Sequence, residues 1–288
     1  MTALALAVLR AMGWLPLPVL RAVGAALGLL VFALGRRRRH VTQVNLALCY
    51  PQMDMAARER LARQVFVRYV QALLDRSWLW HRDTSVVRAR VQVTGAVGQA
   101  LATDRPVIFF VPHFVGLDAG GCGLGLHFPR HLHAIITPQR NAVVEAWIGQ
   151  GRRRFGNITQ WRREAGVKPL LRALQKGDVL HLSPDMNFGT EESIFVPFYG
   201  VPAATVPSLS RFARLSGARV HALVTRMTAE GYVVEIGPAW DDFPSEDPVA
   251  DTALMNQRLA ALIDAMPDQY FWPHQRFKSR PPGQAPVY

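Results

Sequence analysis

The alternation of short apolar segments with helical stretches from residue 106 onward most constrains the fold of this chain. Each apolar segment is bounded by Gly, Pro or charged residues, as buried strands usually are. Apolar strands that alternate with helices predict an α/β fold: a mainly parallel sheet with helices on both faces. The predicted strands are 106–111, 132–137, 178–183, 219–226 and 231–237; the predicted helices, including an amphipathic one before the first strand, are 55–80, 116–126, 141–155, 167–176, 205–216 and 248–265.

One histidine and one aspartate lie where such a sheet binds ligands, beyond the carboxyl ends of its strands. The segment VIFFVPHFVGLD places His113 directly after the first predicted strand and Asp118 five residues later. These side chains would point apart on one regular helix, so they meet only if His113 lies in a loop and Asp118 in the next helix's first turn. We expect that contact, in which the carboxylate orients the imidazole as a general base. The alternative is a loop histidine followed by a helix-capping aspartate.

Two segments further along the chain carry groups that suit an active site. Residues 149–157 end a predicted helix with consecutive arginines, among them Arg152 and Arg154. Their guanidinium groups can hold a phosphate or a developing oxyanion, or they can simply complement the helix dipole at its carboxyl end. Residues 180–205 run from a predicted strand through Asp185 into an unusually apolar connection. That connection suits a fatty chain, unless it is an ordinary buried loop.

The amino-terminal residues 1–40 are strongly apolar and end in a block of four arginines. Their longest uncharged run is 14 residues, whereas a membrane span needs about 20. Pro16 is expected to kink any helix in this region. We therefore predict a membrane-associated helical segment over 1–40 and a separate domain over 41–288; a helical hairpin packed on that domain is the alternative. Aromatic and basic residues also interleave at 268–283, as at membrane interfaces.

The net charge of +12 favours anionic partners such as phospholipid headgroups, phosphorylated substrates or nucleic acid. No nucleic-acid-binding motif accompanies the charge, so we expect no nucleic-acid partner. Cys49 and Cys122 lie in unrelated settings, which favours a reducing compartment without a disulfide. His127, His131 and His133 have no carboxylates at ligand spacing, so we expect no metal site.

The chain resembles the bacterial lipid A biosynthesis acyltransferases, the late lauroyl and myristoyl enzymes, which belong to the wider H-x4-D/E lysophospholipid acyltransferase superfamily. The resemblance covers roughly residues 10–283, and the order and spacing of its motifs are specific. The matching stretches are NLALCYP (45–51), HFVGLD (113–118), RRRFG (152–156), GVKPLLRALQKGD (166–178), PDMNFGTEESIFVPFYGVPAAT (184–205) and YFWPHQRFKSRPPG (270–283).

This resemblance implies an enzyme of the inner membrane whose catalytic domain, 41–288, faces the cytoplasm. Such an enzyme transfers a fatty acyl chain from acyl carrier protein to a hydroxyl of a lipid A precursor and needs no cofactor. Its partners would be acyl carrier protein, an anionic glycolipid or phospholipid acceptor and the membrane surface. The residues leave other readings open: acylation of another lipid of lysophospholipid or ornithine-lipid type, or a non-enzymatic basic protein that binds membranes or nucleic acid.

The resemblance also assigns site residues. His113 and Asp118 match the catalytic pair of the H-x4-D/E motif, and Arg152 or Arg154 matches an arginine region that contacts substrate or oxyanion. Asp185 matches the first acid of a P-D-x-D-x-G turn. The chain departs from the family at two positions, because Asp118 stands where Glu is commoner and Asn187 replaces the second acid of the turn. Both departures concern the acceptor rather than the reaction type.

Overall fold

The computed structural model describes residues 2–156 and 158–288, without the side chain of Thr2. In this part of the chain the α-helices are α1 (Thr2–Met12), α2 (Leu17–Leu34), α3 (Arg36–Cys49), α4 (Met55–His81), α5 (Thr84–Arg90), α6 (Val97–Ala102), α7 (Leu117–His127), α8 (Ala142–Arg152), α9 (Lys168–Gln175), α10 (Ser208–Ser216) and α11 (Pro248–Asp264). The strands are β1 (Val91–Gly95), β2 (Val107–Phe110), β3 (Leu132–Ile136), β4 (Ile158–Arg162), β5 (Val179–Leu182), β6 (Ile194–Phe198), β7 (Val201–Thr205), β8 (Arg219–Met227) and β9 (Tyr232–Ala239).

Seven strands form one sheet in the order β1-β9-β8-β2-β5-β3-β4. Neighbouring strands run parallel except β8 and β9, which form an antiparallel pair. The predicted α/β class and mainly parallel sheet are therefore confirmed. The remaining strands, β6 and β7, form a separate antiparallel hairpin where the sequence predicted only an apolar connection.

The central strand β2 shows why its residues form a buried strand. Ile108 and Phe110 pack into the hydrophobic core on one face of the sheet, and Val107 and Phe109 pack into the core on the other. All four side chains have no exposed surface. A strand buried on both faces needs an uninterrupted apolar sequence, and this property made its position predictable.

Pro16 separates two amino-terminal helices, as predicted: α1 ends at Met12 and α2 begins at Leu17. Helix α2 is long and apolar enough to cross a membrane by length and composition, yet 33% of it is buried against the rest of the protein. It lies close against α4, since a Cβ atom added to Gly28 would come within 2.6 Å of the Val67 Cα atom. The division of the chain at residue 40 remains a prediction.

A buried polar cluster fixes α2 to the domain. The Arg21 guanidinium donates to the Asp75 carboxylate at 3.0 Å and to the carbonyl oxygen of Gly231 at 3.1 Å. Asp75 also accepts from the Trp78 indole at 2.9 Å and from the Tyr232 hydroxyl at 2.7 Å. Because an unpaired buried charge is costly, these contacts hold the Arg21 face of α2 inward. The opposite face of α2 carries its exposed leucines.

Candidate active site

His113 lies in the loop between β2 and α7, as the sequence predicted. The backbone of Val111 still pairs with that of β5, and Pro112 then ends the pairing. The loop approaches β8 closely at Gly116, where an added Cβ atom would lie 2.8 Å from the Thr225 carbonyl oxygen. Glycine therefore allows the chain to turn from the strand into α7 with the His113 side chain at the sheet's carboxyl edge.

The carboxylate that contacts the His113 ring is that of Asp185. Its Oδ1 atom lies 2.7 Å from Nδ1 of His113, and its Oδ2 atom accepts from the His113 backbone N–H at 2.9 Å. The Asp185 side chain is fully buried, while the His113 side chain is 33% exposed. The imidazole thus has one nitrogen bound to a buried carboxylate, while part of the His113 side chain is open to the solvent.

The Asp185 carboxyl group is ionised. Burial raises its pKa, but the neighbouring His113 ring and the hydrogen bonds that the carboxylate accepts outweigh this effect and lower the pKa below its ordinary value. A carboxylate can only accept, so Nδ1 of His113 carries the proton and donates it to Asp185. The other ring nitrogen, Nε2, is then an acceptor, which is the state that a general base requires.

The predicted contact between His113 and Asp118 is replaced by two others. Asp118, in the first turn of α7, accepts from Nε of Arg76 and from Nε of Arg152, each at 2.8 Å. Both carboxylate oxygens are thereby used, and no hydrogen bond joins Asp118 to His113 within the described residues. Burial raises the pKa of Asp118, but the two guanidinium groups outweigh it and hold the pKa well below its ordinary value.

The two candidate arginines have different surroundings. Arg152, at the end of α8, pairs with Asp118 through Nε and keeps 29% of its side chain exposed. Arg154 donates instead to the carbonyl oxygens of Leu79 and Arg82, at the carboxyl end of α4. Its guanidinium also lies 4.6 Å from the ring centroid of Phe155. The structure thus brings Arg152 to Asp118, whereas Arg154 satisfies the last carbonyls of a helix.

Sequence reasoning missed two residues beside this site. Arg76 lies on the predicted helix 55–80 among several other arginines, so nothing in the sequence distinguished it. His181, on β5, is half-buried and interacts electrostatically with His113 and Arg152. Burial, reinforced by the Arg152 charge, lowers the pKa of His181 to about 4, so this imidazole is neutral at pH 7. Its position just before the Ser183-Pro184-Asp185 turn was the available signal.

The carboxyl-terminal segment, residues 267–278, closes over the His113 loop. Phe271 donates its backbone N–H to the His113 carbonyl at 3.0 Å, and Val115 donates to the Gln269 carbonyl at 2.8 Å. His274 accepts the backbone N–H of Asn187 at 2.9 Å. This segment therefore contributes to the walls of the site, although the sequence predicted it only as a membrane-interface stretch.

Two of the histidines that were considered for a metal site take part in local hydrogen bonds. His133 contacts Asp178 at 2.9 Å through Nε2, and His131 contacts Thr159 at 2.8 Å. Within the described residues, no group of three or more His, Cys, Asp or Glu side chains is arranged to hold a metal ion. Both cysteines are free and buried.

These features define a class of protein: an α/β protein with a histidine, paired to a buried carboxylate, at the carboxyl edge of a mainly parallel sheet and with an arginine–aspartate pair nearby. The particular family follows from sequence comparison. Residues 1–279 match the family described as bacterial lipid A biosynthesis acyltransferase, and the chain belongs to that family. The protein is accordingly an enzyme, a transferase of the lipid A biosynthesis acyltransferase class.

Three proteins of Escherichia coli (strain K12) illustrate the similarity. The lipid A biosynthesis palmitoleoyltransferase is 31% identical over 279 residues, which cover 95% of this chain and 90% of the relative. The lauroyltransferase is 29% identical, with 93% and 88% covered. The myristoyltransferase is 28% identical, with 92% and 82% covered. These relatives differ in the acyl chain that their names specify, while each is similar to this protein over nearly its whole length.

Proposed function

We propose that this enzyme transfers a fatty acyl chain from an acyl-carrier-protein thioester to a hydroxyl group of a lipid A precursor. The observation that carries the proposal is the 2.7 Å contact between the ionised Asp185 and Nδ1 of His113, whose side chain stays 33% exposed. The relatives' names, which specify palmitoleoyl, lauroyl and myristoyl transfer in lipid A biosynthesis, support a fatty acyl chain as the transferred group and a lipid A precursor as the acceptor.

In the proposed reaction, Nε2 of His113 accepts the proton of the acceptor hydroxyl while the oxygen attacks the thioester carbonyl carbon. The carbonyl π electrons move to oxygen and form a tetrahedral oxyanion. When this intermediate collapses, the C–S bond breaks, an ester remains, and the imidazolium returns its proton to the leaving thiolate. Asp185 stabilises the imidazolium between these two steps. A base held in this way typically contributes about 10²–10⁴-fold to the rate.

Arg152 is the residue that we propose for the oxyanion or a substrate phosphate. The Asp118 carboxylate accepts from Nε of Arg152, which leaves the terminal amino groups of the guanidinium to donate to the substrate. Charge-assisted donors of this kind stabilise an oxyanion strongly in a partly desolvated cleft. Asp118 thereby acts on catalysis through Arg152, and Arg154 has no part in the proposed chemistry because backbone carbonyls hold its guanidinium.

Lipid analysis tests this function. Mass spectrometry of lipid A and of total lipids should be compared between cells with the gene, cells without it, and cells that carry the His113→Ala variant. We expect lipid A of the deleted strain to lack one acyl chain, which the wild-type gene restores and the variant does not. Unchanged lipid A together with a missing acyl chain on a lysophospholipid or ornithine lipid would replace the proposed acceptor. Unchanged lipids throughout would refute acyl transfer.

We further propose that the protein lies on the cytoplasmic face of the inner membrane with α2 parallel to the membrane surface. Arg21 faces the domain interior on one side of α2, while leucines on its other side remain exposed. A helix whose one face is fixed to a globular domain can bury only its opposite face in lipid. The arginine block at Arg36–Arg39 follows directly and suits anionic headgroups.

Two exposed leucines of α2 provide a test. Leu30 is 52% and Leu34 is 73% exposed. Glutamate at both positions should weaken binding to anionic phospholipid vesicles, measured by cosedimentation, by about tenfold or more. The reason is that two large apolar side chains no longer enter the lipid. The matched control is Leu215→Glu, which changes a leucine of α10 that is 60% exposed. Equal vesicle binding by the double variant and the control would contradict the proposed orientation.

A further inference from the structure

We infer that Tyr270 is a positioning residue of the active site: its hydroxyl holds the Asp185 carboxylate in the orientation that presents Oδ1 to the His113 imidazole. This inference rests on the proposed function of His113 as the base. Tyr270 is then the third residue in a chain of hydrogen bonds that runs from the His113 imidazole through the Asp185 carboxylate to the Tyr270 hydroxyl.

The two oxygens of Asp185 have separate partners. Oδ1 faces Nδ1 of His113 at 2.7 Å, whereas Oδ2 accepts from the His113 backbone N–H at 2.9 Å and from the Tyr270 hydroxyl at 3.2 Å. The two donors to Oδ2 prevent the carboxylate from rotating. They also share its negative charge, so they set how strongly Oδ1 attracts the proton on the imidazole.

The backbone fixes Tyr270 relative to His113. Tyr270 pairs with Phe114 in an isolated antiparallel β-bridge, and the neighbouring Phe271 donates to the His113 carbonyl at 3.0 Å. The Tyr270 ring is buried and lies edge-on to the rings of Phe114 and Trp272, at 5.8 and 5.1 Å between centroids. One short pairing of backbones therefore places both the base and the hydroxyl that supports its carboxylate.

Tyr270 stays protonated and can only act here as a donor to the carboxylate. Burial, together with the Asp185 charge, raises the pKa of its hydroxyl well above the ordinary value. The other ionisable groups around His113, Asp185 and Tyr270 include His274 and Arg276 from the same carboxyl-terminal segment, His181 from β5 and Cys49 from α3. Removal of the Tyr270 hydroxyl leaves all of these in place, so a change in pH dependence can be assigned to the lost hydrogen bond.

The direct test is Tyr270→Phe in the full-length enzyme, with acyl transfer from the carrier-protein thioester measured across pH. A carboxylate that has lost a donor holds the protonated imidazole more strongly, so the acidic limb of the kcat/KM profile should move to higher pH, by about half a pH unit. We expect kcat at its optimum to fall by about threefold to tenfold, as expected for the net contribution of one typical intramolecular hydrogen bond.

Tyr232→Phe is a matched control. Tyr232 is also a buried tyrosine whose hydroxyl donates to a buried carboxylate, that of Asp75 at 2.7 Å, but in the cluster that holds α2. The control should lose stability to a similar degree and leave the pH profile unchanged. If both variants have the wild-type profile, Tyr270 has no positioning role.

A second measurement covers the case in which Tyr270→Phe does not fold. Site-specific 3-fluorotyrosine at position 270 keeps the hydroxyl and makes it a stronger donor, so the acidic limb should move to lower pH. An unmoved limb overturns the inference. His113→Ala in the same assay separates the two claims. If His113→Ala loses turnover but the acidic limb of the proteins changed at position 270 does not move, only the role of Tyr270 is refuted. If His113→Ala keeps full activity, the proposed function of His113 as the base is refuted.

Discussion

His113→Ala is expected to lower kcat for acyl transfer by about 10²–10⁴-fold, because it removes the group proposed to accept the hydroxyl proton as the new C–O bond forms. Substrate binding should change little, since in the proposed reaction the imidazole meets the reacting hydroxyl and not the acyl chain or the sugar. We therefore expect the loss in kcat with a nearly unchanged KM. Single-turnover transfer from a radiolabelled acyl-carrier-protein thioester would measure this directly.

His131→Ala is a suitable control for that experiment. His131 is another half-buried histidine, and it contacts Thr159 at the amino end of β3, on the edge of the sheet opposite His113. Its removal deletes an imidazole of the same size and a comparable hydrogen bond. Near-normal turnover by His113→Ala, or an equal loss by His131→Ala, would show that the imidazole at position 113 is not the base.

The buried strands of this fold could be predicted because a strand that is covered on both faces needs an uninterrupted apolar sequence. The strands β2, β3, β5, β8 and β9 all occur at the predicted positions. The two strands of the seven-stranded sheet that were missed, β1 and β4, lie at its edges, where a strand is paired on one side only. Their sequences, VQVTG and ITQWR, mix apolar and polar residues, and the strands are only partly buried. No continuous apolar run therefore indicated a strand at these positions.

The β6–β7 hairpin was missed for a different reason. Pro197 and Pro202 face each other across the pair, and proline within an apolar run argues against a central strand. Here the prolines are tolerated because the hairpin is a separate pair of strands outside the main sheet. The sequence identified the segment as unusually apolar but could not distinguish a hairpin from a loop.

The partner of His113 could not be identified from the sequence because the order of the strands decides it. Strands β2 and β5 are neighbours in register, with Phe110 opposite Leu182. His113 and Asp185 each follow the last paired residue by three positions, so they emerge side by side from the same edge of the sheet. Both strand ends and both polar residues were predicted separately. Their adjacency was not, since 72 residues separate them and no local pattern specifies strand order.

The role of Asp118 was obscured by the same kind of long-range contact. A carboxylate in the first turn of α7 can turn toward the loop before it or toward the helices packed beside it. Arg76 from α4 and Arg152 from α8 provide two positive charges on the second side. A doubly paired carboxylate is strongly favoured over one bound to a single neutral imidazole, so Asp118 binds the arginines and leaves His113 to Asp185.

The amide substitutions Asp185→Asn and Asp118→Asn should therefore differ in their effect on turnover. Asp185→Asn removes the anion that stabilises the imidazolium and holds the ring, and its amide cannot accept from both Nδ1 and the backbone N–H of His113. We expect kcat to fall by about 10²–10⁴-fold, close to the effect of His113→Ala. Because Asp185 is fully buried and accepts three hydrogen bonds, its replacement should also lower the unfolding midpoint in urea, so turnover is measured under conditions in which the variant is folded.

Asp118→Asn should act mainly on stability, because it leaves the guanidinium groups of Arg76 and Arg152 side by side, 22% and 29% exposed, without their anion. Breaking a largely buried pair in this way costs about 3 kcal/mol, which urea denaturation measures. Turnover should fall less than in Asp185→Asn, since Asp118 is proposed to act on the reaction only through Arg152. If folded Asp118→Asn were as inactive as His113→Ala while Asp185→Asn kept its turnover, the base would depend on the acid of the H-x4-D motif. The contact between His113 and Asp185 would then serve folding alone.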